Sequence, residues 1–100
     1  MAPAGRLDNI SAAAFREEVR QLVESGGKYL VVDLREVSFV DTIGLATLLA
    51  GKKLARIAGG DLHIACPGAQ VVLALNLSSL DRILRPHSSI KEALAAFGSR

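Results

Sequence analysis

The chain has 100 residues, half of them hydrophobic and 22% charged, which is one globular domain with a two-layer core and weighs against a second domain or a large active-site cavity. Its net charge of +2 arises without a basic run longer than Lys52-Lys53, and four aromatics with no tryptophan leave no stacking surface for nucleic acid, so no direct nucleic-acid partner is expected. No apolar run reaches the ~18–20 residues of a spanning helix, Met1 to Arg6 lacks the apolar stretch of a signal peptide, and the single cysteine excludes an internal disulfide; a cytoplasmic protein without membrane insertion is expected.

From about Ser11 to Glu24, Phe15, Val19, Leu22 and Val23 recur at helical spacing against Arg16, Glu17, Arg20 and Gln21. This predicts an amphipathic helix, capped by Asn9 or Ser11 and stopped by Gly26-Gly27. Tyr29 to Leu34 is a β-branched apolar run bounded by turn residues, expected as a central strand covered on both faces. Val37 to Val40 continues extended, and Asp41-Thr42-Ile43-Gly44 introduces a helix that runs to Ala58 and ends at Gly59-Gly60. That helix is apolar on two sides, with Leu45, Leu48 and Leu49 on one and Ile43, Ala46, Ala50 and Leu54 on the other. Neighbouring helices are expected to cover the second side, while Lys52, Lys53 and Arg56 form a solvated face.

Leu62, Ile64 and Ala65 predict another short strand, broken by Pro67-Gly68, and Ala69 to Leu77 a helix packed by Val72, Leu73 and Leu75 or Leu77. Ile83-Leu84 is expected as a last short strand. Ser88 or Ser89 then caps a final helix, where Ser89-x-x-Glu92 matches a capping box and Ile90, Leu94 and Phe97 supply the inner stripe. Helices alternating with strands imply an α/β fold with a mostly parallel sheet of about four strands and about four helices, as one domain over residues 1–100.

The constellation able to carry chemistry is Asp41-Thr42-x-Gly44, where a strand hands over to a helix and free backbone N–H groups meet the positive end of the helix dipole. Asp41 or Thr42 can cap the helix there, and Gly44 permits close backbone packing. Asp33 and Asp41, eight positions apart, lack the third group an acid/base pair requires. His63 and His87 have no nucleophile beside them and, with Cys66, make no metal set of persuasive spacing. Cys66 before Pro67 fits a small core position.

The run Val31-Val-Asp-Leu-Arg-Glu-Val-Ser-Phe-Val-Asp-Thr-Ile-Gly-Leu45 resembles the signature of the STAS domain, the family of bacterial anti-sigma factor antagonists. Gly5-Arg-Leu-Asp8 before the first helix, Gly59-Gly60 before a strand, and Leu80-Asp-Arg-Ile-Leu84 with Ile90 to Ala95 carry the similarity over nearly the whole chain. The resemblance implies a non-catalytic regulator that needs no cofactor. Its partner would be an anti-sigma factor with serine/threonine kinase activity, phosphorylating Thr42 and docking on Asp41, Thr42, Ile43, Gly44 and Ala46. Many members carry Ser at the acceptor position and a small residue next; this chain has Thr42 and Ile43. The family opens with a β-hairpin, of which Met1 to Leu7 leaves room for one strand, so an exposed edge and a homodimer through it are expected. The alternative is a STAS subunit of a lipid-transport ABC complex, whose Val-Asp-Thr-x-Gly-Leu motif, here Val40 to Leu45, docks an ATPase.

Overall fold

Residues 1–98 are described by a computed structural model. In chain order they form β1 (Gly5–Leu7), α1 (Ala12–Glu24), β2 (Tyr29–Asp33), β3 (Val37–Val40), α2 (Thr42–Ile57), β4 (Asp61–Ala65), α3 (Ala69–Ser78), α4 (Asp81–Leu84) and α5 (Ile90–Phe97). β1 pairs in parallel with β3, and β2 with β4. The two ladders are tied together at Met1, whose amino group donates to Val31 O at 3.0 Å and whose carbonyl accepts from Asp33 N–H at 2.8 Å. Met1 to Leu7 thus lies along the bent strand formed by β2 and β3.

Alternation along the central strands sorts the layers. Leu30, Val32, Leu62 and Ile64 are buried with Phe15 and Val19 of α1 and Leu45, Leu48 and Ala55 of α2. On the alternate face, Tyr29 and His63 meet α5, with the His63 ring stacked on Phe97 at 3.9 Å and Tyr29 edge-on to it at 5.4 Å. β2 therefore has one fully apolar face and one partly covered face, where continuous apolarity predicted two buried ones. α1 follows its predicted stripe and is stopped at Gly26, whose φ of 102° suits glycine. Its start differs from expectation. Ser11 stands at the cap position, but its hydroxyl accepts from Asp8 N–H and donates to Arg6 O, while Asp8 Oδ1 accepts from the N–H groups of Ile10 and Ser11.

Three expectations are corrected by the packing. Ile83 and Leu84 are helical: the N–H groups of both donate back to Leu80 O, closing α4. The strand position beside β4 is taken instead by His87, whose N–H donates to Ile64 O and whose carbonyl accepts from Cys66 N–H. α3 buries Val71 and Leu75, whereas Val72, Leu73 and Leu77 face solvent. In α5 the buried residue is Ala93, Ile90 and Phe97 are half-buried and Leu94 is exposed. The predicted cap holds, since Ser89 Oγ accepts from Glu92 N–H at 3.1 Å, while the Glu92 carboxylate returns to Ser88 N–H.

Candidate functional site

The first turn of α2 is built from three chain segments. Asp41 is extended (φ −110°, ψ −170°), and its Oδ1 accepts from Gly44 N–H at 2.9 Å while its carbonyl accepts from Leu45 N–H. The cap satisfies one of the first-turn donors; the N–H groups of Thr42 and Ile43 precede the reach of intrahelical bonding and keep the positive end of the helix electrostatically open. Gly44 is buried against β1: a Cβ there would lie 2.0 Å from Leu7 O and 2.6 Å from Val40 Cγ2. Only glycine lets the strand and the helix approach this closely.

Gln70 is a positioning residue that the sequence reading missed. From α3 its Oε1 accepts from Val40 N–H and its Nε2 donates to Val40 O, both at 2.8 Å. The side-chain amide thereby pairs with the backbone of the residue before Asp41 as a neighbouring strand would, and fixes the strand end from which α2 departs. A lone Gln thirty positions downstream gives no local signal of this.

The structure brings the proposed docking residues together with different roles. Thr42 and Ala46 are exposed, and Ile43 is 45% exposed, so an apolar methyl surface surrounds the hydroxyl. Asp41 is half-buried by its cap, and buried Gly44 shapes the surface without presenting a side chain. Among the described residues no hydrogen bond engages the Thr42 hydroxyl. Thr47, one helical turn on, is 1% exposed and donates to Ile43 O. The second apolar side of α2 divides accordingly: Ala50 and Leu54 are half-buried, and only Ile43 and Ala46 remain in solvent.

The remaining candidates serve local structure. Asp33 accepts from Arg35 N–H at 3.0 Å and pairs with its guanidinium, so it forms no acid/base pair with Asp41. His63 Nδ1 meets Ala93 O at 2.9 Å. Cys66 is half-buried with φ of 57°, a strained turn position and not the core site expected of it. Among the described residues no cluster of His, Cys, Asp or Glu is placed to hold a metal ion.

Lys52 does not join the solvated face with Lys53 and Arg56. It is buried, and its Nζ donates to Asp61 Oδ1 at 2.8 Å and to Leu62 O at 3.2 Å. The reason is its heptad-like spacing from Leu45, Leu48 and Ala55, which turns position 52 inward. Burial by itself would raise the Asp61 carboxyl, but the Lys52 ammonium, the Leu62 N–H and His63 together hold it below the ordinary value of 3.8. A depressed folded value contributes stability above pH 3.8 that is lost as pH falls through the folded value. Asp61→Asn is expected to lower stability by about 1–3 kcal/mol at pH 7 and to flatten the acid limb. Urea unfolding at pH 7 and at pH 3 measures both, and an equally steep acid loss in the variant would place the titration elsewhere.

Parallel strands leading into a capped helix, with a hydroxyl beside the capping aspartate, fit a STAS domain, and the STAS family model matches residues 1–93. The chain belongs to that family. It is 30% identical over 91 residues to the anti-sigma-F factor antagonist RsfB of Mycobacterium tuberculosis, covering 90% of this chain and 73% of that protein. It is 28% identical over 81 residues to the anti-sigma-B factor antagonist of Bacillus subtilis, covering 81% and 73%. In structure it is similar to the anti-sigma factor antagonist SpoIIAA in its unphosphorylated form, with a TM-score of 0.79 and 16% identity over 99% of this chain and 86% of that one. A sulfate transporter family protein from Wolinella succinogenes superposes with a TM-score of 0.81 and 20% identity, covering 98% and 82%. The fold is therefore shared by regulators and transporters. No described helix is long and apolar enough to cross a membrane.

Proposed function

We propose that this STAS domain is an anti-sigma factor antagonist that binds a kinase-type anti-sigma factor through the start of α2 and is released when Thr42 is phosphorylated from that partner's ATP. The observation that carries the reading is the exposed Thr42 hydroxyl at the first helical position, flanked by exposed Ile43 and Ala46, in a chain whose relatives are named antagonists. Asp41, Thr42, Ile43 and Ala46 form the contact surface and Gly44 its backbone support. Unmodified, the domain sequesters the anti-sigma factor and so frees sigma factor; the reading assigns it no catalysis and no cofactor.

Phosphorylation adds about 1.5–2 negative charges, which the N–H groups at the start of α2 tolerate within this domain. A partner surface fitted to a neutral hydroxyl and methyl groups instead meets a charge without a counter-ion. The switch acts locally and leaves the fold intact. Thr42→Glu is accordingly expected to weaken binding to the anti-sigma factor by about 1–3 kcal/mol in calorimetry. Undiminished affinity would place Thr42 outside the contact. Affinity capture from the source cells with intact-mass analysis tests the class of partner: an ATPase-fold kinase with a phosphorylated fraction of this chain supports the antagonist, and an ABC ATPase with membrane subunits overturns it.

A further inference from the structure

A chain of this size is not expected to hold a large cavity, yet an open one of about 590 Å³ lies at the far end of α2 from Thr42. Lys52 and Arg56 of α2, Arg82 of α4, and Arg85 and His87 of the following loop line it, with Asp61 of β4 contributing the lone carboxylate among the described residues. Arg56 lies fourteen positions along the helix from Thr42, about 21 Å along the axis. The two sites are distinct, and nothing in this inference rests on the function proposed for Thr42.

The charges in the cavity do not balance. Lys52 is neutralised by Asp61 at 2.8 Å, whereas Arg56, Arg82 and Arg85 have no ion pair among the described residues. Three guanidinium groups from two separate parts of the chain therefore converge on one hollow without a paired counter-anion among the described residues. Burial, and after it the neighbouring His63, pushes the His87 imidazole below its ordinary value against the opposing pull of Glu92. Arg85 is the left-handed residue (φ 43°) that ends α4 before Pro86, with its N–H donating to Asp81 O, so the backbone sets its position at the rim. Arg85 stands exposed at the rim of this cationic hollow, and its guanidinium has no ion pair among the described residues.

Guanidinium groups match the oxygens of a phosphate in paired hydrogen bonds, and several of them favour a ligand with more than one phosphate over a single carboxylate. We propose that this cavity binds a small soluble molecule bearing two or more phosphate groups, held by Arg56, Arg82 and Arg85. These three side chains stand on the surface, so their replacement leaves the core untouched.

The test is an amide NMR titration of the full chain with pyrophosphate and, separately, inorganic phosphate, at ionic strength held constant with potassium chloride. Saturable shifts are expected at Arg56, Arg82, Arg85 and His87 and not at Thr42, with pyrophosphate binding about tenfold more tightly than phosphate. The double variant Arg82→Gln/Arg85→Gln should lose about tenfold or more in affinity with its melting temperature unchanged, and Arg56→Gln alone should weaken binding in the same direction. Unchanged affinity in both variants would overturn the proposal. So would shifts that chloride alone reproduces, or binding to phosphatidylglycerol vesicles with no response to pyrophosphate.

Discussion

Gly44→Ala is expected to destabilise the domain by about 3 kcal/mol or more, a large part of the ~5–15 kcal/mol available to a chain of this size. The new methyl group would sit 2.0 Å from Leu7 O and 2.9 Å from Leu7 C, and both are backbone atoms that no rotamer change can move. β1 must then separate from the start of α2, or α2 must lift from the sheet, and either movement disrupts the Asp41 cap and the Thr42 surface together. Thermal unfolding should show a drop of roughly 12 °C or more. Gly68→Ala is the control, because a methyl group added there would meet nothing within 4 Å and the residue's φ is −73°. That substitution should change stability by no more than about 0.5 kcal/mol. A Gly44→Ala variant melting within a few degrees of the parent would show that the close approach is not maintained in solution.

Thr42→Ala should abolish phosphoryl incorporation by the cognate kinase while Thr42→Ser retains it. The substitution removes an exposed hydroxyl and leaves the cap from Asp41 to Gly44 N–H in place, so the helix and the surrounding surface persist. Binding of the unmodified partner should therefore survive. Two hydroxyls near Thr42 in sequence are unequal rivals. Thr47 is buried and committed to Ile43 O, which keeps it from a kinase, whereas Ser38 is exposed on β3. Incubation with kinase and labelled ATP decides: equal incorporation in Thr42→Ala would move the acceptor, with Ser38 the first position to examine.

What could be read from the sequence followed the strength of its patterns. α1 and the capped start of α2 were legible because a regular apolar stripe or a capping residue specifies each locally. α3 failed on its face, since Ala69 to Leu77 is apolar at nearly every position and no period distinguishes Val71 and Leu75 from Val72, Leu73 and Leu77. Ile83-Leu84 failed because two apolar residues cannot set a period of either kind; the choice fell to bonds back to Leu80. At the site, Asp41, Thr42 and Gly44 were visible as a contiguous motif. Lys52 was misassigned because its neutralising partner, Asp61, lies on the next strand, and Gln70 because its role depends on a backbone thirty residues away.

The pairing of Gln70 with Val40 also bears on how this sheet ends. A parallel strand laid beside β3 on the side away from β1 would need the N–H and carbonyl of Val40, and both are already occupied by one side-chain amide. The amide stands in for a peptide group without offering a further row of donors and acceptors, so strand addition stops there. Glutamate could accept from the N–H but not donate to the carbonyl, and glutamine is thus the residue of its length that seals both positions. One side chain thus closes the end of β3 as a hydrogen-bonding template, at Val40, directly before the exposed start of α2.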